Sequence, residues 1–285
     1  RGANIYQRRV FPEMDGTEFY GPGPFGPPYT QADLDRLSAL GANYVNISTA
    51  GLFTVQPPYE VDQEALASLD GLLEMVAAAD MFAVITFRTG PGRSDFTFYR
   101  DGAGEWFAPD LLVEWVWEDL EAQDAWVEMW RYTAERYREN PVVVGYDLMC
   151  EPNANDVALG IWEPTDFYPE YADSLYDWNQ FYSRIVTGIR EADGETPILV
   201  NAMSWGSVRW LPYLEAVEAP LVLNEQEDQD AGRDSEGQPE RDQQREDGDA
   251  DLERIAPLVD VVSFDVVGDA GSHHFDGRAE AGLPD

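Results

Sequence analysis

The stretch VVVGYDLMCEPN, residues 142–153, decides the fold of this chain. Three valines and a glycine lead into Tyr146 and Asp147, and the run then stops at Glu151 and Pro152. Proline has no backbone N–H to donate, so it commonly marks the point where a central strand must end. The pattern therefore predicts a buried strand with Glu151 at its C-terminal tip, facing whatever lies above the sheet.

Strands and helices alternate on both sides of this stretch. Apolar runs predict strands over 1–6, 42–48, 82–87, 142–149 and 196–203, and helical periodicity predicts helices over 30–41, 62–79, about 121–139 and 174–192. Near-continuous apolar strands separated by helices are typical of a parallel sheet covered by helices. No Gly-rich dinucleotide turn follows the early strands, which disfavours an open nucleotide-binding sheet. We therefore predict an α/β fold, a (β/α)8 barrel, as a single domain over residues 1–285.

Polar side chains cluster near the ends of the predicted strands. They are Asn46 and Ser48 on the second strand, Arg88 and Thr89 after the third, Glu151 and Asn153 after the fourth, and Asn201 and Trp205 on and after the fifth. In a (β/α)8 barrel the active site is built from residues at strand C-termini and the loops that follow. The four clusters are thus predicted to line one site.

Beyond residue 220 the pattern becomes irregular. The run APLVLNEQED, 219–228, predicts a strand that ends near Glu225, and LVDVVSFDVV, 258–267, predicts another. Residues 226–253 are almost wholly polar and acidic, with no aromatic residue, which predicts an acidic insertion or a disordered loop. The chain thus supplies six or seven strands where a complete barrel needs eight, so we expect a barrel that is incomplete at its C-terminal end.

The composition excludes several kinds of partner. The 285 residues carry a formal charge of −37, from 55 acidic residues and 18 basic residues that are all arginine. Such a surface repels phosphate backbones and anionic membranes, so neither nucleic acid nor membrane is an expected partner. Absence of lysine with acidic excess fits a salt-adapted, halophilic protein, and it fits equally a compositional bias from a GC-rich genome. The one cysteine, Cys150, excludes an internal disulfide.

Four motifs in this order resemble those of glycoside hydrolase family 5, the cellulase-like (β/α)8 barrels. They are RGAN at 1–4, LGANYVNIS at 40–48, Glu-Pro-Asn at 151–153 and ILVNAMSWG at 198–206. The resemblance covers roughly residues 1–215, and after about residue 220 we expect the chain to be truncated or degenerate with respect to the family. It implies a retaining β-glycosidase with Glu151 as the acid/base and a second Glu, on the seventh strand, as the nucleophile.

Three positions depart from the pattern of that family. The family usually carries Asn before the acid/base, Arg at the end of the second strand and His after the third strand. This chain has Cys150, Asn46 and Arg88 at those places. The Arg88 guanidinium presents several N–H donors in a planar fork, so it could replace some of the donors that are lost.

The second carboxyl that glycoside hydrolysis requires has three possible origins. Glu225 follows the apolar run 221–223 and is the nucleophile if that run is the seventh strand. If the run is a degraded sixth strand, the nucleophile lies beyond Asp285 or is not encoded. Asp265, near the end of the last predicted strand, is the third candidate.

The remaining candidates concern sugar and metal binding. Trp205 is a candidate platform for stacking on a sugar ring, and core packing explains it equally well. His273 and His274 are adjacent but lack further ligands, so no metal site is predicted. No cofactor is needed either, because carboxylates alone can carry the reaction. We expect a secreted, monomeric glycoside hydrolase acting on β-glucan or mannan, with a non-catalytic carbohydrate-binding barrel or an inactive fragment as the alternative.

Overall fold

One parallel sheet, in which the strands follow chain order, organises the molecule. The computed structural model describes residues 1–11, 24–26, 28–99, 111–217 and 221–224. In these ranges six strands lie side by side, each paired in parallel with the next. They are β1 (Gly2–Gln7), β2 (Tyr44–Thr49), β3 (Phe82–Phe87), β4 (Val143–Asp147), β5 (Ile198–Asn201) and β6 (Leu221–Asn224). Consecutive parallel neighbours are the arrangement that the alternating sequence pattern predicts.

Helices connect successive strands. They are α1 (Gln31–Ala39), α2 (Gln63–Ala78), α3 (Leu120–Tyr137), α4 (Ala154–Val157), α5 (Pro164–Tyr171) and α6 (Trp178–Ala192). Shorter turns of 3-10 helix cover Asp95–Tyr99, Trp115–Trp117 and Val208–Tyr213, and a helical turn covers Met203–Gly206. The short helices α4 and α5 were not predicted, and α6 begins at Trp178 rather than at residue 174.

Aspartate caps fix where the three long helices begin. Asp62, Asp119 and Asp177 each precede a helix, and their carboxylates accept hydrogen bonds from backbone N–H groups of its first turn. Such a cap is worth ~1 kcal/mol, since it satisfies a donor that has no partner within the helix. Asp177 thus explains the late start of α6.

The two faces of the sheet differ in polarity. One face packs against the helices: the Trp130 ring of α3 lies 4.5 Å from the Phe87 ring and 5.7 Å from the Tyr146 ring. Its indole N–H donates to the carbonyl of Leu148 at 2.8 Å, so the core also holds the backbone just beyond β4. The opposite face carries polar side chains from four strands, described below.

The predicted strand over 219–228 is found as β6, the sixth strand of the sheet, hydrogen-bonded to β5. Glu225, the acidic tract 226–253, the predicted strand 258–267 with Asp265, and both histidines lie outside the described residues. The prediction of a single domain over 1–285 therefore stays a prediction. Within the described ranges, no helix is both long and apolar enough to span a membrane.

Candidate active site

Four polar side chains from neighbouring strands form a layer on the face away from the helices. Thr86 of β3 lies with its hydroxyl 2.5 Å from Asn46 Oδ1 of β2 and 3.1 Å from Asp147 Oδ2 of β4. The amide of Asn201, from β5, donates to Asp147 Oδ1 at 2.8 Å and to the carbonyl of Met149 at 3.0 Å. The layer therefore joins β2, β3, β4 and β5 just below the ends of the strands.

Asp147 is the ionisable group of this layer, and its environment favours the neutral form. The residue is 3% exposed, and burial raises the pKa of its carboxyl to about 7, although hydrogen bonds from Thr86 and Asn201 oppose that rise. A threonine hydroxyl carries one proton, so it cannot donate to Asn46 and Asp147 at once. When Asp147 is ionised it accepts from Thr86; when it is protonated, its own O–H can donate to Thr86 while the Thr86 hydroxyl donates to Asn46.

Above the layer, Arg88 forms the centre of a second cluster. Its guanidinium carbon lies 4.7 Å from the centre of the Tyr6 ring, and Nη1 lies 3.6 Å from Cys150 Sγ. Burial acts to lower the pKa of Arg88, but nearby groups, Cys150 and Tyr6 foremost, raise it overall. Burial raises the pKa of Cys150 to about 12, so this residue is a neutral thiol near pH 7. The pair thus supplies a fixed cation and no thiolate.

Asp95 is a buried acid beside this cluster that the sequence did not single out. Its carboxylate accepts from the Tyr6 hydroxyl at 3.4 Å and from the backbone N–H of Arg9 at 3.2 Å. The side chain is 4% exposed, and burial raises its pKa despite the attraction of Arg88. Asp95 lies in the connection after β3, where no strand or helix pattern marks it.

Glu151 lies just beyond β4, at the same edge of the sheet as Arg88, and its backbone conformation is unusual. Its φ is 53°, in the left-handed region, and the side chain is half-buried. The guanidinium of Arg93, which is fully buried, donates to the carbonyl of Cys150 at 2.8 Å and to that of Glu151 at 2.7 Å. Burial lowers the pKa of Arg93 to about 10, so it is still a cation at neutral pH. Arg93, like Asp95, was missed in the sequence.

Asn153 and Trp205 lie on the loops beside Glu151. Asn153 is fully buried, and its Oδ1 accepts from the indole N–H of Trp117 at 3.2 Å. Trp205 is half-buried; its backbone N–H donates to the carbonyl of Pro152 at 3.1 Å and its indole N–H to Asp156 at 3.0 Å. Ser204 and Trp205 both have left-handed backbone, with φ of 60° and 63°. These contacts tie the loop after β5 to the loop after β4.

The structure thus brings most of the predicted residues to one edge of the sheet. Arg88, Glu151, Asn153, Asn201 and Trp205 lie at or just beyond the C-terminal ends of β3, β4 and β5. The placement of Asn46 at the end of its strand was wrong: β2 continues to Thr49, because its backbone pairing with β3 extends to Phe87.

Among the described residues, no group of three or more His, Cys, Asp or Glu side chains could hold a metal ion.

Helices between consecutive parallel strands, with a glutamate just beyond the fourth strand, place the described part of the chain in the (β/α)-barrel class of fold. The chain matches the family described as cellulase (glycosyl hydrolase family 5) over residues 8–242. It therefore belongs to glycosyl hydrolase family 5.

Curated relatives carry several related activities. A β-xylosidase from Phanerodontia chrysosporium is 24% identical over 181 residues, which is 63% of this chain and 33% of the relative. An endoglycoceramidase from Hydra vulgaris is 32% identical over 83 residues, 29% of this chain and 15% of the relative. The chain therefore spans about a third or less of the length of these relatives.

Solved structures share the fold. The crystal structure of a glycoside hydrolase superposes with a TM-score of 0.56 and 19% identity, covering 79% of this chain and 58% of that one. A Pseudomonas stutzeri endoglucanase in complex with cellobiose gives a TM-score of 0.50 and 16% identity, covering 78% and 58% respectively.

Proposed function

We propose that this chain hydrolyses a β-linked polysaccharide, β-glucan or mannan, with retention of configuration, and that Glu151 is the acid/base. The observation that carries the proposal is the position of Glu151: it follows β4, at the edge where Arg88 and Trp205 also lie, and its backbone is held by a buried arginine. Family membership supports hydrolysis, while the choice of polysaccharide and the retaining course rest on the resemblance of the motifs.

Each group has a part in this chemistry. Glu151 donates a proton to the leaving oxygen and then, as a base, takes one from the water that releases the product, while a second carboxylate attacks the anomeric carbon. Arg88 is a cationic donor for sugar hydroxyls, and Trp205 offers a half-buried indole beside the same opening. Asn201 donates to Asp147 and to the carbonyl of Met149, and Asn153 is buried. We therefore propose that Asn201 and Asn153 hold the backbone around Glu151 and do not contact the sugar.

The variant Glu151→Gln tests the acid/base. We expect kcat on substrates with poor leaving groups to fall by ~10²–10⁴, the usual contribution of general acid catalysis. Oligosaccharide binding should hardly change, because the amide has nearly the same shape. Glu163→Gln is the matched control, since Glu163 is an exposed partner of Arg209 in the same long β4–α6 connection. Equal turnover in the two variants would remove Glu151 from the mechanism.

The nucleophile is tested separately by covalent labelling. Glu225 was predicted to be the nucleophile if the run 221–223 is the seventh strand, but that run is the sixth strand of the described sheet. If Glu225 is the nucleophile all the same, fluorosugar inhibitors of the gluco and manno series will attach to it, and azide will rescue Glu225→Ala with inverted product. A label on another peptide identifies the nucleophile there. Folded protein that binds oligosaccharide and takes no label is a non-catalytic carbohydrate-binding barrel or an inactive fragment that lacks the nucleophile.

A further inference from the structure

The backbone at Glu151 needs an external support. A non-glycine residue with left-handed φ is strained, because its Cβ lies too close to the following carbonyl oxygen, and Glu151, with φ 53°, is such a residue. Pro152 follows it, and a proline restricts the conformation of the residue before it. Beyond β4, the N–H groups of Leu148 and Cys150 still donate to Leu199 and Phe87 on the two neighbouring strands, at 3.2 Å and 3.0 Å. Regular pairing thus ends at the residue just before the strained one.

Arg93 supplies that support at the point where the pairing stops. Nη1 donates to the carbonyl of Cys150 and Nη2 to that of Glu151, at 2.8 Å and 2.7 Å. Two parallel bonds from a planar, charged fork fix direction as well as distance, which a single point donor cannot do. The two bonds bracket the Cα of Glu151 from which the side chain starts.

Arg93 is itself held on a rigid turn. The backbones of Gly90 and Arg93 bond to each other in both directions, at 3.0 Å and 2.9 Å. Gly92 donates to the carbonyl of Val55 at 2.9 Å and accepts from the N–H of Val116 at 3.0 Å, which ties the turn to two other segments. A side chain at Gly92 would lie 2.9 Å from that N–H, so the approach depends on glycine.

We infer that Arg93 is a positioning residue for the acid/base: its fork sets the left-handed backbone that aims the Glu151 carboxyl at the leaving oxygen. The inference rests on the proposed function of Glu151. The two bonds hold the backbone on either side of the Glu151 Cα, so the effect inferred for Arg93 acts through Glu151.

Two substitutions separate the fork from the charge. Arg93→Lys keeps a cation but not the two parallel donors, and Arg93→Met removes both. We expect both variants to lose ~10²-fold in kcat on aryl β-glycosides with poor leaving groups, since a displacement of about 1 Å can cost that much. KM should stay the same. Dinitrophenyl glycosides of the same sugar need little acid assistance, so their kcat/KM, which reports formation of the glycosyl-enzyme, should fall far less than the kcat/KM of the poor leaving groups.

Arg190→Met is the matched control. Arg190 makes the same kind of fork, with Nη1 on the carbonyl of Asp193 and Nη2 on that of Thr196, both at 2.9 Å, but at the other end of the sheet, before β5. It should leave kcat unchanged for both classes of leaving group. A second check is the double variant Arg93→Lys with Glu151→Gln, in which the Arg93 effect should vanish because the group it positions has gone.

The outcomes separate this inference from the proposed function. No hydrolysis by the unsubstituted chain, or no loss in Glu151→Gln, contradicts the proposed function and the inference with it. A loss in Glu151→Gln combined with wild-type kcat in Arg93→Lys shows that the fork is not required and overturns the inference alone. Equal losses in kcat/KM for good and poor leaving groups, or failure of both Arg93 variants to fold, make Arg93 a structural residue and overturn the inference as well.

Discussion

Asp147 shows how a buried acid can be accommodated without a counter-charge. Its hydrogen-bonding partners, Thr86 and Asn201, are neutral, and the nearby Cys150 is a thiol. An ionised carboxylate there would lose its hydration without an ion pair to offset the loss, which is why its pKa rises to about 7. The layer is therefore at its most stable when this acid is protonated.

The variant Asp147→Asn should change how stability depends on pH. The carboxyl has a pKa near 3.8 in the unfolded chain and about 7 in the folded protein, so its favourable contribution is complete below pH 3.8 and is lost as pH rises to 7. A tenfold change in proton affinity corresponds to ~1.4 kcal/mol, so the loss amounts to a few kcal/mol. Urea unfolding between these pH values should show wild type losing stability relative to the variant, whose amide does not titrate.

Asp193→Asn is a control for which the dependence of stability on pH should run in the opposite direction. Burial opposes ionisation of Asp193, but hydrogen bonds from Thr196 and Glu195 lower its pKa overall. Its contribution is therefore present above the unfolded pKa and lost as pH falls, so this variant should lose most stability at neutral pH. If wild type and Asp147→Asn keep a constant difference across the range, Asp147 does not titrate as described.

Local sequence signals predicted most helices and strands. They did not predict the buried residues Arg93 and Asp95, which lie beside the site. Asp62 and Asp119 are adjacent to the helices they cap, so a window of a few residues contains the information. Arg93 and Glu151 are 58 residues apart, and only the folded sheet brings the guanidinium to that carbonyl. Position at a strand end was enough to select Arg88 and Glu151, but Asp95 and Arg93 sit in a connection without periodicity.

We expect an added methyl group to be tolerated less well at Gly92, in the turn after β3, than at a glycine inside helix α2. Gly92 has φ 69°, and an added Cβ would lie 2.9 Å from Ala122 Cβ and from the Val116 nitrogen. We expect Gly92→Ala to cost ~1–3 kcal/mol of unfolding free energy, as overpacking does, and to lower kcat by moving Arg93. Denaturant unfolding together with kinetics on a poor leaving group measures both effects.

Gly71, inside α2, provides the comparison. A Cβ there meets nothing within 4 Å, so Gly71→Ala should stabilise the protein by ~0.5–1 kcal/mol through reduced backbone entropy of the unfolded chain, with kcat unchanged. If Gly92→Ala is as stable and active as wild type, the turn can shift without disturbing the site.

The charge of the whole chain sets how it responds to salt. With a net charge of −37, the acidic residues far outnumber the arginines that could pair with them. Pairs such as Arg184 with Asp124, at 2.7 Å, are partly exposed, and exposed pairs contribute only ~0–1 kcal/mol. Repulsion between the remaining carboxylates is therefore the dominant electrostatic effect on compactness, and it is screened as ionic strength rises.

Deleting residues 228–250 tests this account and the predicted nature of the acidic tract together. The tract has almost no apolar side chain to bury, so at about 1 M salt, where the screening length is ~3 Å, its removal should leave Tm nearly unchanged. At about 0.1 M salt the deletion should raise Tm, because less like charge is then confined to the folded chain. Each kcal/mol corresponds to ~2–4 °C for a domain near this size.

A Gly/Ser segment of equal length in place of the tract is the control. It should reproduce the effect of the deletion, since loop length itself costs only ~0.6 kcal/mol per doubling. A large fall in Tm at both salt concentrations would show instead that the tract packs against the barrel.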